Sequence, residues 1–171
     1  MVDQGVTKLT WIPGVNAIID HNAPTAAELN HVNAVDLSCI MVQTYEARAD
    51  GSDTTNERAV CETAESVTPT IQKYMGNFVL FRDMEAGVPG PDDLTELFPQ
   101  NGAVGWFVRR TGKPYDALYV DGDKVETFLF INDVPQLSGG TGEGNLKGTV
   151  PMLPQGKFAT AAVVGGESSS S

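Results

Sequence analysis

The Gly-rich run Gly139-Gly140-Thr141-Gly142-Glu143-Gly144 is the first stretch in this sequence whose residue types suggest chemistry. Glycines that cradle a phosphate must lie between a strand and a helix, so that the anion meets a helix N-terminus. Here the spacing is wrong and strand-like sequence follows, so the run reads as a flexible loop within 137–144. Asp121-Gly122-Asp123 and Asp50-Gly51-Ser52-Asp53 are fragments of calcium-loop patterns. A calcium ion needs about six to eight oxygens and usually a bidentate Glu at a fixed offset. Neither stretch supplies that set, and both read as turns.

His21 and His31 are the only histidines. Neither has a metal partner four residues on, and no Ser or Cys nucleophile stands beside a base. Both read as exposed residues between the first two strands. Cys39 and Cys61 are too few for a disulfide framework or a zinc cluster. They read as buried thiols, or as a bridge formed only after release from the cell. Arg109-Arg110 is the one basic doublet singled out. It either contacts a neighbouring acidic subunit or ends a strand in water. Trp106, Phe107, Phe128 and Phe130 fall within strands, where core packing accounts for them without a base-stacking role. No residue is assigned to catalysis, a cofactor or a metal.

Eleven Lys and Arg stand against twenty-two Asp and Glu, a formal net charge of −11. That balance disfavours binding of nucleic acid through its phosphates, which draws on clustered cations. The opening Met1 to Gly5 lacks the basic and apolar regions of a secretory signal, and Phe78 to Phe81 is far too short an apolar run to span a membrane. Folding in a cytoplasm and no membrane partner are the expectations. A length of 171 residues with 41% hydrophobic residues suits one domain with its own core.

The elements that must position these residues are mostly strands. Val6 to Trp11 reads as a first strand ended by Pro13-Gly14. Pro24 to Asn30 reads as a short helical turn, with Thr25 as cap and Glu28 three residues later. Cys39 to Ala49 and Asn56 to Val67 read as two arms of a long hairpin, with a wet tip at Asp50, Gly51, Ser52, Asp53, Thr54 and Thr55. Thr70 to Asp83 reads as the best core strand. One well-marked helix is expected at 91–98, with Leu94, Leu97 and Phe98 turned inward. Ala103 to Arg110 and Val125 to Asn132 read as strands. Leu146 to Leu153 and Phe158 to Val164 read as two more, broken by Pro154-Gln155-Gly156. About seven strands without a βαβ rhythm predict a mainly β sandwich or barrel over 1–164, with a Gly/Ser tail at 165–171.

Taken in order, several stretches resemble the major tail tube proteins of long-tailed siphophages, the actinobacteriophage type in particular. These are Gln4 to Pro13, Ala23 to Asn30 running on to Val35-Asp36-Leu37-Ser38, Val104 to Arg110 with Gly112-Lys113-Pro114-Tyr115-Asp116, and Val125 to Phe130 followed by Val134-Pro135-Gln136. The sequence departs from that pattern at His31 to Ala34, an insertion, and in its serine tail. The resemblance implies a virion structural protein, not an enzyme, whose hexameric rings stack into a tube. It implies a tape-measure protein in the lumen, a tail terminator and a distal tail or baseplate protein as partners, and passage of genomic DNA without specific binding. It also implies a long hairpin reaching the adjacent ring, for which Asp50 to Thr55 are the candidates; for a conduit that DNA must slide through, the net charge of −11 predicts a surplus of Asp and Glu lining the lumen. Two other readings compete. One is a monomeric β-sandwich that binds a ligand or decorates a surface; the other is an enzyme on a β-barrel, which the missing nucleophile, base and ligands disfavour.

Overall fold

The structure is a computed structural model and describes residues 6–38, 40–57, 66–81, 98–137 and 147–165. Its strands are β1 (Thr7–Pro13), β2 (Val35–Asp36), β3 (Glu46–Glu57), β4 (Ser66–Phe81), β5 (Val104–Thr111), β6 (Lys124–Asn132), β7 (Gln136–Leu137) and β8 (Lys147–Val163); helix α1 spans Ala26–Leu29. All eight strands join one antiparallel sheet in the order β2-β1-β5-β6-β8-β4-β3, with β7 beside β8. The mainly β expectation holds.

The sheet folds round a core because β8 serves two neighbours. Residues 147–152 of β8 pair with β4, and residues 152–163 pair with β6. Leu37, Met41 and Val42 then link β1 to β4 across the opening of the sheet. The Leu37 amide donates to the Leu9 carbonyl at 2.8 Å, and the Val42 amide donates to the Val79 carbonyl at 2.7 Å. Met41 also pairs with Leu80. A barrel-like closure results, with Leu9, Trp11, Phe78, Phe107, Phe128 and Phe130 among its fully enclosed residues.

Strand alternation gives a second core on the sheet's outer face. Ile12, Trp106, Val108 and Leu129 point there, covered by Ile18, Leu29 and Tyr119 from the connections. Gly105 lets the two layers approach. A Cβ at that position would sit 2.6 Å from the Trp11 ring and 2.8 Å from the Ile12 carbonyl oxygen.

Several local expectations meet corrections. Residues 40–45 are turns and one bridge, so β3 begins at Glu46 and not at Cys39. Pro154-Gln155-Gly156 does not break the last strand. It forms a bulge, between the pairs Phe128↔Phe158 and Phe130↔Pro154, with Gly156 at φ +88°. Tyr74 from β4 repairs the interrupted ladder. Its hydroxyl donates to the Leu129 carbonyl at 2.6 Å and accepts from the Gln155 and Lys157 amides at 2.7 and 3.2 Å. Burial raises the Tyr74 phenol above its ordinary value, although those amides work the other way. Tyr74→Phe keeps the ring but strands these backbone groups, so we expect a loss of roughly 1–3 kcal/mol in denaturant unfolding.

Helix α1 carries the anticipated capping box, Thr25 and Glu28 satisfying each other's backbone amides. The helix expected at 91–98 lies outside the described residues except for Phe98, which is fully buried against Trp11. Cys39, Cys61, the run 139–144 and the tail beyond Gly165 also lie outside them.

Candidate functional site

Strands β3 and β4 extend beyond the rest of the sheet. β4 meets β8 only over Gly76 to Phe81, whereas its pairing with β3 runs from Asn77 out to Ser66. Residues 48–57 and 66–75 therefore form a two-stranded ribbon whose outer edges have no partner strand among the described residues. Unpaired edges of this length present rows of backbone donors and acceptors that other proteins cover or block.

Asp50, Gly51, Ser52, Asp53, Thr54 and Thr55 belong to this ribbon, but as part of strand β3 and not as its tip. The register explains the correction: Thr54 pairs with Pro69 and Glu57 with Ser66, so the paired arms run on past residue 55. Gly51, at φ +72°, supplies a bulge between the Ala49 and Ser52 pairs instead of a turn. Asp50 lies 3.6 Å from Arg48, both about half exposed, a pair that contributes little.

Arg109 and Arg110 point to opposite faces and are both engaged inside the chain. Arg109 bonds Glu126 and the Tyr45 hydroxyl and lies over the Tyr45 ring. Arg110 ends neither in water nor on an outer surface, being 1% exposed. Its parity along β5 places it with Trp106 and Val108 on the covered outer face. There its guanidinium donates to the carbonyls of Leu118, Pro114 and Ala117 at 2.9, 2.9 and 3.0 Å and to the Asp123 carboxylate at 3.2 Å. Tyr119 stacks below it, 5.0 Å from ring centre to guanidinium carbon.

This arrangement fixes the whole connection 112–123. Asp123 also bonds Lys113 and accepts the Val120 amide at 3.1 Å. Burial opposes its charge, but Lys113, the Val120 amide and Arg110 prevail and hold its carboxyl below the ordinary value. Burial pushes the Tyr119 phenol up to about 12, while its hydroxyl meets Thr10 Oγ1 at 2.8 Å. Asn30 pairs with both backbone groups of Tyr119, at 2.8 and 3.1 Å, and so ties the end of α1 to the same connection.

Asp121-Gly122-Asp123 is therefore a turn whose second carboxylate is spent on cations of the chain itself. No group of three or more metal-ligating side chains occurs among the described residues. His21 is half-buried, not exposed as expected, because its ring stacks on Trp106 at 6.1 Å. His31 is exposed and accepts the Asn33 amide at 3.1 Å. Among the described residues, no helix is long and apolar enough to cross a membrane. Sequence reasoning missed Tyr74, Tyr119, Asn30 and Asp123 as organisers, since each acts on a partner remote in the chain or, for Asp123, through a neighbour read as surface.

Fold and surfaces define a closed, antiparallel β domain that carries an extended two-stranded ribbon, its outer edges unpaired among the described residues. A family model described as phage tail tube protein matches residues 1–167, and the chain belongs to that family. Membership gives it a structural role in a virion tail. A comparison with curated proteins returned no match.

Proposed function

We propose that this chain is the major tail tube subunit of a long-tailed siphophage, closing into hexameric rings that stack into the conduit for DNA. The ribbon of β3 and β4 carries the proposal. Isolated two-stranded ribbons are marginal in water, so a chain that projects one needs a neighbour to receive it. Asp50 to Thr55 would lie along the ribbon's arm as it reaches the adjacent ring. Assembly takes place in the host cytoplasm, around a tape-measure protein, between a distal tail or baseplate protein and a tail terminator.

The acidic balance has a role in that conduit. Like charge between DNA and the bore raises the cost of adsorption, with a reach of about 8–10 Å at moderate ionic strength. It eases passage and does not drive it.

The test shortens the ribbon. Ala49 pairs with Tyr74, so residues 50–73 can be replaced by an Asn-Gly turn that keeps the remaining ladder. The shortened chain is expected to fold with native thermal stability and to give no stacked tubes by negative-stain microscopy. Tubes of normal length from it would sink the ribbon's role. A neutral or basic bore in a map of the tube would remove the electrostatic part.

A further inference from the structure

The ribbon of β3 and β4 carries a hazard of its own before anything receives it. Its outer edges, residues 48–57 and 66–75, have no partner strand among the described residues. An open strand edge is a template on which other extended chains can add, and uncontrolled addition ends in aggregates. Each edge, however, is interrupted near its middle, and the residues that interrupt it have no other evident task.

On β4 the interruption is Pro69, paired with Thr54. A proline has no amide hydrogen, so within a ladder it fits only where its nitrogen faces away from the partner strand. The missing donor is therefore missing from the free edge. Two short stretches remain, 66–68 and 70–75. The longer one contains the exposed Lys73, a residue type that itself discourages strand addition.

On β3 the interruption is the bulge at Gly51, where Asp50 and Gly51 together stand against one residue of β4. A Cβ at Gly51 would meet nothing within 4 Å, so packing does not call for glycine there. Its φ of +72° does, and a bulge of this kind throws the edge's donors and acceptors out of line. Arg48 and Asp50, both about half exposed, add charge beside it. The pair Ser52↔Gln72 separates the two interruptions, so they fall close to one level of the ribbon.

We propose that Pro69 and the Gly51 bulge guard the ribbon's edges, preventing free chains from adding to one another strand by strand. The proposal concerns the free chain and holds whatever structure finally receives the ribbon.

Pro69→Thr restores the edge donor with a residue suited to strands, and deletion of Gly51 removes the extra residue of β3. The chain with both changes should leave solution as fibres that bind thioflavin T, seen by sedimentation and microscopy. The wild-type chain should give none under the same conditions. Two further prolines separate this from simple loss of folding. Residues two apart present their amides on the same side of a strand, so Val67→Pro added to Pro69→Thr blocks the same edge again. That chain should stay in solution and keep its circular dichroism. Thr68→Pro places the gap toward β3 and should instead quicken hydrogen exchange along both arms. No fibres from the doubly changed chain, or no rescue by Val67→Pro, would overturn the proposal. Equal behaviour of Val67→Pro and Thr68→Pro would overturn it too, because the missing donor would then not face the free edge. Tubes from the wild-type chain test the tail tube reading separately, and none of these outcomes alters that result.

Discussion

Arg110→Ala is expected to cost about 3–5 kcal/mol of stability, the range for removing one partner of a buried ion pair. In a chain of this size that lowers Tm by about 10 °C. The loss has several sources that act together. Asp123 remains buried with one cation fewer, and the carbonyls of Pro114, Ala117 and Leu118 lose their donors. Arg110→Lys should recover little, because an ammonium cannot spread donors across three carbonyls and a carboxylate. Arg109→Ala, whose ion-pair partner Glu126 is partly exposed, should cost only about 1 kcal/mol. The acid limb gives an independent check. Asp123 has a native pKa below its ordinary 3.8, so its contribution is complete above that value and fades as pH falls through the lowered one. Denaturant titrations at about pH 7 and about pH 3 should therefore show a smaller acid loss for Asp123→Asn than for the parent. Equal stability of Arg110→Ala and Arg109→Ala would show that the clamp is not the chain's main polar anchor.

How far this was legible in the sequence depends on the distance between partners. The strands read at 103–110 and 125–132 were plain, because each is a run of β-branched and aromatic residues of full strand length closed by turn residues. The capping box of Thr25 and Glu28 is a three-residue signal and was equally plain. Parity along β5 also held the fate of the arginines. Arg110 shares a face with Trp106 and Val108, so a covered position followed from counting, although its carbonyl partners did not. Gly51 and Gly156 show where local reading fails. A glycine at positive φ serves a turn or a bulge equally well, and only the partner strand decides between them. At Gly156 the deciding residue is Tyr74, eighty-two positions away in sequence.

Phe78→Ala should destabilise the chain by about 3–5 kcal/mol, the range for truncating a fully buried aromatic. The Phe78 ring is 0% exposed and lies 4.8 Å from Phe107, 6.0 Å from Phe98 and Phe130, and 6.3 Å from Trp11. Those rings come from β5, β6, β1 and the connection before β5, so one truncation opens the space that all of them share. A double-mutant cycle with Phe107→Leu should return a coupling of about 0.5–1.5 kcal/mol, since the two rings are in direct contact. The effect also bears on assembly, because β4 roots the ribbon. Loss of Phe78 loosens the seat of Gly76 to Phe81 against β8, and hydrogen exchange should quicken at Phe78 to Leu80 before it does at Phe128 to Phe130. A cost no larger than that of an exposed strand substitution, with no coupling to Phe107, would mean that β4 does not face β5 across a common core. The closed arrangement of the sheet would then be wrong, and with it the direction in which the ribbon leaves the subunit.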